Sequence, residues 1–320
     1  MLKYLVILLD DTSTSYCHYE NQKTEQNLIA LDDLKSGILY AMKENLMIQF
    51  VYPKYELPQK YKDVIHTIDH TKIVPYGNTQ SADVIVLNDW ESILKADYNK
   101  KTSYVLRTSK SEFFSNYLFV KQLLSKVSRL NVVIKDIETF TEEDFNIYRS
   151  CLSVLSNEIE KQYVMSKNVQ LNLLTDRIML TAMNNCNAGW ESIALAPNGK
   201  FYACPAFYQT KCQTAIDETD VSIGDLHQGV NIKNPQLYKL SHAPLCRNCD
   251  AYHCKRCVWL NRKTTFEINT PGHEQCVVAH IERNVSRELL TNIRKHGTFM
   301  PEINIKEIDY LDPFEVKEEY

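Results

Sequence analysis

Eight of the ten cysteines in this 320-residue chain lie in its second half, between residues 186 and 276. Four of them form two closely spaced pairs, Cys246 with Cys249 and Cys254 with Cys257. Such pairs place thiols on tight turns, where they converge on one metal ion or on one edge of an iron–sulfur cluster. Mostly polar and basic residues separate them, which excludes a buried strand or helix face. The spacing therefore predicts a metal or iron–sulfur site.

The N-terminal sequence favours a cytoplasmic protein with reduced cysteines. The apolar run Tyr4 to Leu9 is too short to span a membrane, and no small-residue cleavage site follows it. No other segment is long and apolar enough to cross a bilayer, and a net charge of -4 provides no basic field for nucleic acid or lipid. We therefore expect no membrane partner, no nucleic-acid partner and no disulfide framework.

The first half of the chain alternates short β-branched segments with amphipathic helical segments. The predicted strands are Tyr4 to Leu9, Met47 to Tyr52, Lys72 to Pro75, Asp83 to Leu87, Ser103 to Arg107, Asn131 to Ile134 and Val169 to Leu173. The predicted helices are Glu25 to Asn45, Pro58 to Asp69, Ser111 to Ser128 and Thr141 to Met165. This alternation predicts an α/β fold with a mostly parallel sheet, and both an incomplete β/α barrel and a doubly wound sheet fit it.

A polar segment, residues 10–17, follows the first predicted strand and ends in Cys17, with His18 beside it. Ligands in parallel α/β folds bind at the carboxyl ends of strands, and a cysteine next to histidine can form an activated thiolate. Cys17 is therefore a candidate catalytic or ligand residue, and a solvated connection is the alternative. The sequence contains neither GxGxxG nor GxxxxGK, so no nucleotide fingerprint is present.

The second half begins with a predicted β-hairpin. Asn198-Gly199 is a strong hairpin signal, and Cys204 lies at the end of the second strand. Cys186 precedes the hairpin, so the two thiols can lie side by side at its open end. Farther along, Cys276 precedes a predicted helix, Val277 to Lys295, whose dipole favours a thiolate at its start.

The order of these cysteines resembles the SPASM domain, which holds auxiliary [4Fe–4S] clusters at the C-terminal end of peptide-modifying radical SAM enzymes. The family pattern is a cysteine, a GxxxxC hairpin, a CxxCxxxxxCxxxC run and a final cysteine. Each of the seven family cysteines has a counterpart here, although the spacings after Cys249 and Cys254 are each one residue shorter.

The resemblance implies two clusters. Their ligands would be Cys246, Cys249, Cys254 and Cys276 for one, and Cys186, Cys204 and Cys257 for the other, with Cys212 as a candidate fourth ligand. The alternative is zinc at the same cysteines, which would make the chain a zinc-stapled peptide- or protein-binding module without redox chemistry.

Radical SAM enzymes carry a CxxxCxxC motif after the first strand of a partial β/α barrel, but the corresponding segment here contains only Cys17. One thiolate cannot hold that cluster, so we expect no S-adenosylmethionine site. The chain thus resembles a pseudo-radical-SAM protein and is similar to the CXXX repeat peptide maturase family.

This resemblance implies three regions: a degenerate partial β/α barrel over residues 1–180, a SPASM-like domain with its docking helix over 181–298, and an acidic tail over 299–320. It also implies a role in maturing a small, ribosomally synthesised Cys-repeat precursor peptide. The protein would act as a maturase or as the cluster-bearing partner of a radical SAM enzyme.

Overall fold

The computed structural model describes residues 2–17, 23–78, 81–210 and 221–306. Its main sheet has nine strands in the order β7-β6-β5-β4-β3-β2-β1-β8-β9. They are β1 Tyr4–Leu8, β2 Met47–Val51, β3 Thr71–Pro75, β4 Val84–Leu87, β5 Ser103–Thr108, β6 Arg129–Ile134, β7 Gln170–Leu171, β8 Ser192–Leu195 and β9 Phe201–Tyr202. The first seven are parallel and follow one another without reversal. A doubly wound sheet would reverse its order, so the α/β prediction is confirmed in its barrel-like form.

Helices connect many of these strands, and further helices follow the last strand of the sheet. They are α1 Leu31–Lys43, α2 Gln59–Ile65, α3 Trp90–Lys95, α4 Lys110–Leu123, α5 Glu142–Val164, α6 Thr175–Met179, α7 Pro205–Gln209, α8 Val258–Thr265 and α9 His273–Arg294. Short 3₁₀ turns cover Ile137–Thr139, Pro235–Tyr238 and Leu240–His242, and a small hairpin pairs β10 Gly224–Asp225 with β11 Gly229–Val230. The four helices predicted in the first half are present as α1, α2, α4 and α5. None of the described helices is both long enough and apolar enough to cross a membrane.

Alternate strand residues point to opposite faces of the sheet. On β1, Leu5 and Ile7 pack with Leu34 and Ile38 of α1. Val6 points to the opposite face of the sheet, which we call the inner face. The inner face carries Val6, Leu8, Val51, Ile73, Val86, Val105, Val133, Ala194 and Tyr202. Tyr208 of α7 packs on this same face, and the segment after β1 meets the start of the cysteine-rich half there.

The predicted hairpin is confirmed as β8 and β9, which pair antiparallel. Gly199 adopts φ +75° in the connecting turn, a conformation that glycine reaches without steric cost. On its other side β8 pairs in parallel with β1, with Tyr4 opposite Ser192. The sheet therefore extends across residue 180, and the division into 1–180 and 181–298 stays a prediction. Within the predicted tail, Ile305 is buried in the core.

The helix predicted over Val277 to Lys295 is present as α9, which packs along α5. It begins earlier than predicted, at His273, so Cys276 lies within the helix and not before it. The Tyr148 hydroxyl of α5 donates a 2.5 Å hydrogen bond to the Glu282 carboxylate of α9. The other carboxylate oxygen of Glu282 lies 2.9 Å from His253 Nε2. Because His253 adjoins Cys254, these contacts join α5, α9 and the cysteine pairs.

Candidate metal centre

Four cysteines, which we call the knuckle group, line one cavity of about 400 Å³: Cys246, Cys249, Cys254 and Cys276. Tight turns present the first three. The Cys249 amide donates to the Cys246 carbonyl at 3.0 Å, and the Cys254 amide donates to the Ala251 carbonyl at 2.9 Å. Cys276 lies in the first turn of α9. The structure thus brings together two turns and a helix start around a space larger than one ion.

Burial keeps these thiols protonated in the absence of a cation. It raises the pKa of Cys246 to about 11 and that of Cys254 to about 12, and it also raises the pKa of Cys276. Neighbouring thiols add to the increase at Cys254 and Cys276, because adjacent thiolates repel each other. A bound metal removes this penalty, since coordination deprotonates a thiol outright.

A second set, which we call the inner group, comprises Cys17, Cys186, Cys204 and Cys257. Burial raises the pKa of Cys204 well above its ordinary value, and the adjacent thiols of the other three members raise it further. Burial likewise raises the pKa of Cys257, with contributions from Cys186 and Cys17. Four residues that are distant in sequence therefore lie near one another at an edge of the core, where Cys204 and Cys257 are buried, Cys17 is partly buried and Cys186 is exposed.

The segment after β1 reaches the inner group by turning back along the inner face. The Ser13 hydroxyl donates to the carbonyl of Val51 at 2.9 Å, at the carboxyl end of β2. Farther on, the Tyr16 hydroxyl donates to the Gln49 side chain at 3.0 Å, two residues back along β2. The segment therefore descends along β2, and its next residue is Cys17.

Helix α7 holds this segment against the hairpin. The Tyr208 hydroxyl donates to the Asp11 carboxylate, and the Gln209 amide donates to the carbonyl of Ser13. Since α7 follows Cys204 directly, these bonds fix Cys204 relative to the segment that carries Cys17. Burial raises the pKa of Cys17 to about 11, whereas an activated nucleophile needs a lowered pKa. His18 lies outside the described residues.

Arg256 lies between the two groups and is only 1% exposed. Burial lowers the pKa of Arg256, and nearby thiols of both groups act in the opposite direction. These thiols are Cys246 and Cys254 of the knuckle group and Cys186 and Cys257 of the inner group. Its Nη2 donates to the carbonyl of Tyr238, while Nε and Nη1 are buried without a hydrogen-bond partner among the described residues. A buried cation with two unused donors calls for an anionic group beside it.

The knuckle group is anchored to α9 by charge. The Asp250 carboxylate accepts from Arg283 Nη1 at 2.7 Å and from Arg177 Nη2 at 3.4 Å, and both guanidinium groups are almost fully buried. From the same helix, His280 Nε2 lies 3.4 Å from Cys249 Sγ. Burial lowers the pKa of His280 to about 4, so its ring is neutral and can donate to the sulfur.

Two cysteines remain. Cys212, the candidate fourth ligand, lies outside the described residues. Cys151 is buried in the core on α5, and it belongs to neither group. Among the residues that the structure describes, no three His, Cys, Asp or Glu side chains are placed to hold a single metal ion.

A second cavity, of about 570 Å³, opens at the carboxyl ends of the strands. Four cationic side chains line it: Lys23, Lys54, Arg107 and Lys135. Arg107 is on β5 and is 3% exposed, and Lys54 and Lys135 follow β2 and β6. This opening has the charge to receive a carboxylate-bearing chain.

Sequence reasoning missed three features of this centre. It counted Arg256 only among the polar and basic residues that separate the cysteines, although its position inside the second pair, between Cys254 and Cys257, was the available signal. It gave no role to His280, which lies four residues after Cys276 and hence on the same helix face. It placed Cys17 by itself, because nothing local indicates that the segment after β1 turns inward.

No protein-family model and no curated protein matches this sequence. Solved structures do match. A histidine-tagged form of anSMEcpe with bound AdoMet aligns with a TM-score of 0.61 and 12% identity, covering 92% of this chain and 100% of that chain. Native anSMEcpe with bound AdoMet and Cp18Cys peptide aligns with a TM-score of 0.59 and 11% identity, over 92% and 100% of the two chains. The protein therefore shares the α/β fold of these neighbours.

We expect Asp250→Asn to destabilise the protein by about 3–5 kcal/mol, because it leaves two buried guanidinium groups without their carboxylate. Urea unfolding followed by circular dichroism measures the change. Asp69→Asn is the matched control, since Asp69 is exposed, and its effect should stay within about 0.5 kcal/mol. A loss at Asp250 no larger than in the control would contradict the anchoring role.

Proposed function

We propose that this protein carries two [4Fe–4S] clusters, one in the knuckle group and one in the inner group, and takes part in maturing a small ribosomally synthesised peptide. The single observation that carries the cluster assignment is Arg256. A cluster ligated by thiolates has net negative charge, so clusters in both groups would give the buried guanidinium its missing partners.

The knuckle group fits a cluster in size and in chemistry. Its cavity of about 400 Å³ exceeds the space that one ion needs, and its four thiols are the ligands that iron–sulfur clusters use. The His280 ring beside Cys249 would donate to a coordinated sulfur, which is one way proteins tune cluster potential. When bound, the cluster would supply electron-transfer capacity or a structural anchor, and the chain would supply burial and these donors.

Zinc is the alternative for these cysteines. A tetrahedral zinc site requires four ligands to converge at Zn–S distances of about 2.3 Å. In this structure the knuckle thiols surround a cavity instead, which favours the larger group. A zinc-stapled binding module remains the competing outcome of the metal measurement.

The peptide role is supported by the fold. Structures of the neighbour anSMEcpe contain bound Cp18Cys and Kp18Cys peptides, and the cationic opening at the carboxyl ends of the strands offers this chain a place for a peptide with acidic residues. The proposed partner is a Cys-repeat precursor in the cytoplasm. The protein would act on it directly or present it to a radical SAM enzyme.

We further propose that the protein does not cleave S-adenosylmethionine. The segment after β1 has one cysteine where three are needed, and the described part of that segment lies along the inner face. The pseudo-radical-SAM assignment rests on this departure from the motif.

Co-expression with a tagged Cys-repeat precursor tests this function. We expect the peptide to co-purify with the wild-type protein, and mass spectrometry to show any modification. Cys249→Ala should abolish co-purification by disrupting the knuckle cluster, whereas Cys151→Ala, a cysteine outside both groups, should retain it. Reduced protein with S-adenosylmethionine should yield no 5′-deoxyadenosine.

Two results would contradict the proposal. A wild-type protein that neither binds nor changes the peptide has no role in its maturation. Formation of 5′-deoxyadenosine by the purified chain would show that it cleaves S-adenosylmethionine after all.

Arg256→Met should lower the reduction potentials of both clusters, since removal of a buried positive charge disfavours adding an electron. We expect a decrease on the order of 60 mV, the one-electron equivalent of about 1.4 kcal/mol. Redox titration followed by electron paramagnetic resonance measures it. Arg247→Met is the control, because Arg247 is exposed in the same cysteine run and water screens its charge. Equal shifts in the two variants would contradict the placement of Arg256 between clusters.

A further inference from the structure

The SPASM resemblance leaves the inner group one ligand short. It assigns Cys186, Cys204 and Cys257, and three thiolates leave one iron of a four-iron cluster open. The ligand that fills this position decides whether the cluster can bind an external molecule. Cys212 was the candidate from sequence, and it lies outside the described residues.

The structure places a different thiol in the group. Cys17 packs against the core cluster that contains Cys204 and Cys257. Its approach is specified by hydrogen bonds on both sides of the segment, from Ser13 to β2 and from Gln209 of α7 to Ser13. Because α7 begins directly after Cys204, the bonds that hold the segment also hold one of the three assigned ligands.

The rest of the group is equally fixed. The Cys186 amide donates to the carbonyl of Lys255 at 3.1 Å, which ties Cys186 to the run that carries Cys257. Cys257 itself is the N-cap residue of α8, where backbone amides favour a thiolate. These contacts bring Cys186 and Cys257 to the same edge of the core as Cys204, and the segment that carries Cys17 reaches this edge too. Cys204 and Cys257 are buried there, Cys17 is partly buried, and Cys186 is exposed.

We propose that Cys17 is the fourth ligand of the inner cluster. The inference rests on the proposed cluster in this group. Each of the four thiols loses its proton as its sulfur–iron bond forms, and the iron and sulfide come from the cluster supplied during assembly.

This ligation has two consequences. A cluster with four thiolates has no open iron, so it cannot bind an added ligand and would serve electron transfer or structure. The same cluster also joins the segment after β1 to the hairpin and to the cysteine run, across more than two hundred residues of sequence. Metal binding would then stabilise the contact between both halves of the chain.

The test compares anaerobically purified wild-type protein with Cys17→Ala, Cys212→Ala and Cys151→Ala. Each is analysed for iron and sulfide and then, after reduction, by electron paramagnetic resonance with and without cyanide, which binds an open iron. We expect about eight irons and no cyanide response in the wild type and in Cys151→Ala. Cys17→Ala should either gain a cyanide-sensitive signal or lose about half of its iron, and Cys212→Ala should match the wild type.

Three outcomes would overturn the inference. A wild-type level of iron without a cyanide response in Cys17→Ala removes Cys17 from the ligand set. A cyanide-sensitive wild type shows that the fourth position is open. A wild type without iron and sulfide removes the cluster itself and with it the proposed function, so this failure is distinguishable from the first two. If Cys17→Ala does not fold, Cys17→Ser is measured in its place against the same criteria.

Discussion

The parallel pairing of β8 with β1 is the contact on which the rest of this structure depends. It adds the hairpin to the sheet beside the first strand, and α7 then bonds to the segment that follows that strand. The pairing and the α7 hydrogen bonds together fix Cys204 relative to the segment that carries Cys17. The cysteine-rich half therefore contributes two strands to the main sheet and also carries the clustered thiols.

Charge buried between the two thiol groups is the second constraint. Arg256 has a left-handed backbone, φ +42°, and such a conformation costs a non-glycine residue on the order of 1–3 kcal/mol. Its guanidinium is buried, and two of its donors have no hydrogen-bond partner in the part of the chain that the structure describes, which is a further cost for the protein without metal. Two anionic clusters would offset both costs, which explains why a chain would keep an arginine in this place.

Features encoded by local pattern could be predicted from the sequence. Strand–helix alternation gave the parallel sheet, Asn198-Gly199 gave the hairpin, and close spacing indicated that Cys246 and Cys249 share a turn. The choice between a barrel and a doubly wound sheet could not be made, because local pattern does not specify the order of strands.

The position of Cys17 could not be predicted either, since it depends on a hydrogen bond from Gln209, almost two hundred residues later than Ser13. Polar residues after β1 suggested solvent, yet Asp10 and Ser13 are buried by satisfying backbone and side-chain donors.

The central claim is that the two thiol groups hold two iron–sulfur clusters. Native mass spectrometry of the intact, anaerobically purified chain, combined with iron, sulfide and zinc analysis, tests it most directly. The account predicts a mass increase equal to two [4Fe–4S] clusters, with about eight irons and eight sulfides per chain. One or two zinc ions without sulfide, in protein expressed with ample iron and kept free of oxygen, would contradict it.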